Sequence, residues 1–288
     1  MKKVFFLTII LLLSCVSACW ARSTDEIDFQ KELILCEEIL KNETNTNMPE
    51  IVDYSVEIFK KAPNSLASYY AVGCVAFASS IMEINEKLKT IFKDLYDKYF
   101  DSLNDANSDI ISKIVLSQFL FSGYSINEMN ETQMELSYQK VKESLQNIQK
   151  NCKNKNYSAL AALFLITRLS NEETLINCEQ FIKYYPDHKA IPLIEAKIIN
   201  EKYYFSTETK DYSECIKNLK ILVEKYQYIN SPHGNYKLVL DFYVYIIRSY
   251  IKLKDKDNAQ KYLELIKNEA KNYYRLKQIE SEVKNSNY

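Results

Sequence analysis

Glycine is scarce in this chain. Gly73, Gly123 and Gly234 are the only three among 288 residues. Tight β-turns and phosphate-cradling loops need residues that accept positive φ, and glycine supplies most of them. So few glycines exclude a β-sandwich, a dinucleotide-binding turn and a phosphate loop. Histidine is scarcer still, and His188 and His233 are too few for a three-histidine zinc site. The seven cysteines include no C-x-x-C pair, so their spacing offers no metal site. Only four arginines occur (Arg22, Arg168, Arg248 and Arg275), without a dense basic run. Nucleic-acid binding leans on bidentate arginine contacts and is therefore not expected. What remains is 47% hydrophobic and 26% charged, the composition of a protein with a real core. The absences together point to an all-helical chain.

The N-terminus reads as an export signal. Lys2 and Lys3 precede an apolar run from Val4 to Leu13, and small residues follow (Ser14, Ser17, Ala18, Ala21). A positive start, a short apolar core and a small-residue cleavage zone are the three parts of a secretory signal. The run is too short to span a bilayer, which takes about 20 residues. Two modes of cleavage fit residues 1–21. Val16-Ser17-Ala18-Cys19 is similar to a bacterial lipobox, which would cut before Cys19 and lipidate it. Cys19-Trp20-Ala21 before Arg22 suits ordinary cleavage after Ala21. Either mode places the mature chain outside the cytoplasm of a bacterium, in its envelope or secreted. A lipidated Cys19 would hold it at a membrane surface. Of the remaining cysteines (Cys36, Cys74, Cys152, Cys178 and Cys215) the expected role is that of small core residues. An oxidising compartment permits one disulfide among them, and the sequence does not choose the pair.

Charge divides unevenly. Residues 22–150 carry 13 Lys and Arg against 21 Asp and Glu, whereas residues 151–288 carry 22 against 17. This acidic-then-basic asymmetry either orients a partner or simply reflects solvated helix faces. Apolar residues recur at steps of three and four nearly throughout, with no sustained alternation. Breakers and capping residues divide the pattern into twelve helices, at about 25–41, 49–61, 65–84, 85–103, 109–121, 131–151, 157–169, 172–184, 189–205, 212–226, 236–252 and 257–284. They pair naturally as six antiparallel hairpins. No Pro- or Gly-rich linker separates them, so residues 22–288 read as one domain.

A single hairpin cannot bury its own apolar face, and a series of them implies stacked repeats. The clearest unit lies near the C-terminus: Tyr243-x2-Ile246-Ile247-x2-Tyr250, then Ala259-x3-Leu263-x2-Ile266. A second has the same spacing: Ser158-x2-Ala161-Ala162-x2-Leu165, then Thr174-x3-Cys178-x2-Phe181 and Pro186. Half-units appear at Tyr69-x2-Val72-Gly73-x2-Ala76 and Tyr212-x2-Cys215-x3-Leu219. This spacing resembles the tetratricopeptide repeat, best over residues 157–288. Ile247 replaces the usual glycine, and hairpin starts at about 25, 65, 108, 157, 189 and 236 depart from a period of about 34 residues. Phe181-Ile182-Lys183-Tyr184-Tyr185-Pro186-Asp187-His188 is similar to hairpin ends in the outer-membrane assembly lipoprotein family BamD. That family joins a lipid anchor to tetratricopeptide repeats. The resemblance implies an α-solenoid of about six stacked hairpins that offers a concave groove to a protein or peptide. In the best unit the groove would be lined by Asp241, Val244, Tyr245, Arg248, Ile251 and Lys252. Arg248, Lys252 and Tyr245 would there suit an acidic peptide or one ending in a carboxylate.

Catalytic patterns are thin. Ser137–Lys140 and Ser249–Lys252 fit S-x-x-K, without the K-T-G or S-D-N that completes such a site. The pairs Glu37-Glu38 and Glu172-Glu173 are helix neighbours pointing about 100° apart and cannot flank one bond. No cofactor motif is present. The expectation is a non-enzymatic scaffold without metal or cofactor. The alternative is an all-helical envelope enzyme or carbohydrate-binding protein, with a site assembled from some of the 23 tyrosines and scattered carboxylates.

Overall fold

The computed structural model describes residues 48–80, 82, 85–105, 109–122, 131–168, 171–206 and 210–286. The signal segment, Cys19, Cys36 and the helix expected at 25–41 lie outside the described residues. Among those described, the chain is all-helical. Twelve α-helices follow one another: α1 Met48–Lys61, α2 Leu66–Ser80, α3 Glu86–Tyr99, α4 Ile110–Phe121, α5 Glu131–Asn151, α6 Lys155–Arg168, α7 Asn171–Tyr184, α8 Ile191–Ile199, α9 Tyr212–Tyr226, α10 Val239–Lys252, α11 Lys256–Glu269 and α12 Leu276–Asn285. A π-helical turn, Asn200–Phe205, extends α8. The one extended pairing among the described residues is an isolated bridge between Asn230 and Lys237.

Local chemistry explains many of the boundaries. Pro49 sits in the first turn of α1, where its missing N–H costs nothing. Pro63 ends the helix, and the Ser65 hydroxyl accepts the Ser68 N–H at 3.0 Å to start α2. Asn85 caps α3 through the Lys87 and Leu88 amides. Asp211 and Asp255 cap α9 and α11 in the same way. Asp109, just ahead of α4, adopts a left-handed backbone (φ 46°) and makes no capping bond through its side chain.

The helices are of two kinds. The odd-numbered ones carry a single buried stripe, as Val141, Ser144, Leu145 and Ile148 do on α5 and Ala259, Leu263 and Ile266 on α11. By contrast α2, α4, α6 and α10 are buried nearly all round, and on α6 every residue from Ser158 to Ile166 is buried. A helix apolar on all sides belongs inside. Even Lys113 on α4 is buried, its ammonium donating to the Asp105 carbonyl at 2.7 Å. The inner helices α2, α4 and α6 pack on one another, with α1, α3, α5 and α7 outside them. Beyond α7 the contacts run in chain order through α8, α9, α10 and α11, and α12 packs on both α10 and α11.

Three expectations need correction. Residues 65–103 do not form a hairpin of their own: α2 packs chiefly on α1, α4 and α6, and α3 leans on α1 and α4. The segment 257–284 is two helices, broken where Ala270 turns extended (φ −150°, ψ 92°). The helix expected at 189–205 changes to π geometry at Asn200. Of the cysteines expected in the core, Cys74, Cys178 and Cys215 are buried and Cys152 partly so, all four as free thiols. Burial pushes the Cys178 thiol up to about 12, so it stays protonated.

Candidate functional site

The chain returns on itself between α2 and the C-terminal helices. The His188 ring, in the α7–α8 turn, lies 3.4 Å from the Pro63 carbonyl, and its Nδ1 accepts the Ala190 N–H at 3.1 Å. Burial holds this imidazole down to about 4, so it is neutral, with Nε2 carrying the proton. Beside it the Lys189 N–H donates to Asn64. In the α9–α10 loop, His233 is buried between the rings of Tyr70, at 4.1 Å, and Tyr274, at 5.0 Å. Neither histidine is placed as an exposed base.

Asp241 is the centre of this junction. It occupies the first turn of α10, where a helix N-terminus favours negative charge. Only 8% exposed, it accepts hydrogen bonds from three phenols. Tyr273 donates to Oδ1 at 2.6 Å, Tyr274 to the same oxygen at 3.2 Å, and Tyr70 to Oδ2. Burial first, and then the Asp241 charge, push the Tyr70 and Tyr273 hydroxyls well above their ordinary range, so both remain donors.

Around Asp241 a cavity of about 140 Å³ opens between four elements. Tyr69 and Tyr70 come from α2; Leu193, Ala196 and Lys197 from α8; Asn200, Glu201 and Phe205 from its π turn. Asp241, Phe242 and Tyr245 come from α10, and Tyr274 and Arg275 from the α11–α12 connection. The π turn matters because its wider coil redirects side chains, and such turns recur at functional sites. Glu201 is engaged by Lys197 at 3.0 Å. Arg275 lies 5.0 Å over the Tyr274 ring and forms no ion pair or hydrogen bond among the described residues. Burial opposes its charge, but Tyr274, Asp241, Tyr273 and Tyr245 outweigh that and hold it firmly protonated.

The residues expected to line a groove divide here. Asp241 and Tyr245 reach the cavity, the first buried and the second half-buried. Arg248 is bound on both sides of its guanidinium by Glu282 of α12, at 2.7 and 2.8 Å, and sits over the Tyr245 ring. Lys252 is exposed one turn further along α10, and Val244 is wholly buried. Ser249, of the S-x-x-K match, is buried while Lys252 faces solvent. Sequence reasoning missed Tyr69, Tyr70, Asn200 and Arg275. The scarcity of arginine was the one signal that could have drawn attention to Arg275. Among the described residues no group of His, Cys, Asp and Glu could hold a metal ion, and no helix is long and apolar enough to cross a membrane. Set against known proteins, the chain matches no protein-family model, no curated protein and no solved structure.

Proposed function

We propose that this chain is an exported, non-enzymatic interaction scaffold of a bacterial envelope, built as a divergent tetratricopeptide-like solenoid and offering its α8–α10 face to a protein or peptide. The export signal at 1–21 supports the location, and Cys19 supports a lipid anchor. The repeat register gains support from burial. Ile246, Ile247, Ala259, Leu263 and Ile266 of one unit are buried, as are Ala161, Ala162, Leu165, Cys178 and Phe181 of the other. The observation that carries the binding role is the tyrosine-lined cavity between α8 and α10, with Phe205 44% exposed at its edge. An accessible aromatic beside a concave apolar site is what partner recognition uses. With Arg248 held by Glu282, Lys252 and Arg275 are the cations this face offers to an acidic partner.

The tyrosines and carboxylates of the alternative reading, an envelope enzyme or carbohydrate-binding protein, do meet in this cavity. Its two carboxylates are already committed, Asp241 to three phenols and Glu201 to Lys197. A general acid or base needs a free path to its substrate, which favours the scaffold.

A photo-crosslinker placed at Phe205 or Lys252, with Leu136 on α5 as comparison, tests the reading in cells. Capture of one protein from 205 and 252 but not from 136 supports it. Equal capture from all three, or none, refutes it. Labelled-palmitate incorporation that disappears in Cys19→Ala would establish the anchor.

A further inference from the structure

We propose that the cavity beside Asp241 binds a small carboxylate, carried on a body about the size of one aromatic ring. The inference rests on reading the α8–α10 face as the binding face, and it names the chemistry of the ligand there.

The argument is a balance of donors and acceptors. Every carboxylate in the cavity wall has its partners, as described for Asp241 and Glu201. The groups left over are donors. Arg275 makes no hydrogen bond among the described residues. Asn200 is only 4% exposed; its Oδ1 accepts from the Cys215 thiol at 3.8 Å, while its amide NH2 makes no such bond. The Tyr69 and Tyr245 hydroxyls are likewise without hydrogen-bond partners among the described residues. Burial keeps Tyr69 protonated and therefore able to donate. A cavity whose unmet groups donate selects an acceptor. A full positive charge among them selects an anionic one, through charge-assisted bonds. A cationic ligand is disfavoured, because Arg275 already occupies the face of Tyr274.

Size sets the rest of the molecule. The volume of about 140 Å³ is close to that of engineered cavities, about 150 Å³, that admit benzene. Leu193, Ala196, Phe205 and Phe242 give it apolar walls. One ring or a short branched chain fits, and a longer body would extend through the mouth. Two sources share this chemistry: a free aromatic or aliphatic acid, and the last residue of a peptide with a free C-terminus.

The test titrates the purified full-length chain by ligand-observed NMR with benzoate, benzyl alcohol, benzylamine and a short peptide ending in phenylalanine, free or amidated. Saturable benzoate binding is expected, at least about 10-fold tighter than for benzyl alcohol or benzylamine, as loss of the charged bond implies. Arg275→Gln should weaken benzoate at least about 10-fold, with the helical circular-dichroism signal checked in parallel. Ala196→Leu narrows the cavity from α8 without touching Arg275 and should abolish binding, so the proposal remains testable if Arg275→Gln fails to fold. Binding of both benzoate and the free peptide, with amidation removing the latter, identifies a peptide terminus as the source. Benzoate without the peptide identifies a free acid. No saturation by about 10 mM benzoate, equal binding of the alcohol or amine, or binding unchanged in both variants would overturn the proposal. In that event crosslinking from 205 and 252 would still sustain the scaffold. Benzoate binding without any crosslink would sustain the site and sink the scaffold alone.

Discussion

The two ends of the described chain use the same alternation of inner and outer helices to different effect. In α2, α4 and α6 the inner side chains are mostly Ala, Val, Ile, Leu, Ser and Phe, with Cys74 on α2 and Lys113 and Gln118 on α4 added to them, and these helices close directly on one another. In α8 and α10 the inner faces present Tyr245, Asp241, Lys197 and the π turn, and a cavity stays between them. Aliphatic side chains have no hydrogen-bonding demands, a buried serine can meet its own on the helix backbone, as Ser117 does on the Lys113 carbonyl at 2.8 Å, and both allow backbones to approach. Phenols and ionised groups must be kept where partners reach them. Closure and openness therefore follow from side-chain chemistry within a common pattern.

Core truncations should break this comparison most visibly. Phe164 on α6 is fully buried, with its ring edge-on to Phe59 at 5.7 Å. Phe164→Ala should cost about 3–5 kcal/mol in urea unfolding. Leu193→Ala, in a wall already facing a cavity, should cost about 1–2 kcal/mol because little packing is lost. Equal costs would mean that the two regions are packed alike. Next comes the Asp241 cluster. Asp241→Ala removes the acceptor shared by Tyr70, Tyr273 and Tyr274 and should destabilise by about 2–4 kcal/mol.

The clasp between the regions is sensitive to acid. His188 has a folded pKa of about 4, below the ordinary 6.5. Between these values the unfolded chain binds the proton and the folded one does not, so stability rises with pH across that window. From pH 6.5 down to about 4 the loss should approach on the order of 3 kcal/mol. His188→Gln should flatten this part of the profile, measured by denaturation at a series of pH values. The smallest effect belongs to the face. Lys252→Glu should change stability by less than about 0.5 kcal/mol, whereas Glu282→Gln, which weakens the half-buried pair with Arg248, should cost about 1 kcal/mol.

Much of the helical order was legible because periodicity and breakers act locally. Pro49, Pro63, Asn85, Asp211 and Asp255 mark boundaries through bonds made within a few residues. The break after Glu269 was illegible, since Lys271-Asn272-Tyr273-Tyr274-Arg275 holds no proline or glycine. What interrupts the helix there is tertiary: Tyr273 and Tyr274 turn inward to a carboxylate more than thirty residues away. The inner position of α2 could be sensed from its apolar girth but not its neighbours. Only a smaller part of the candidate site was legible, for the same reason. Asp241 and Tyr245 follow from the register of α10, whereas Tyr69, Tyr70, Asn200 and Arg275 join them only through the fold.

The bond from Tyr70 to Asp241 spans 171 positions along the chain. At ordinary synthesis rates roughly 10–30 s separate the emergence of its two ends. For that interval the apolar flank of α2 has no C-terminal cover, and whatever attends the nascent polypeptide must shelter it until the last helices arrive.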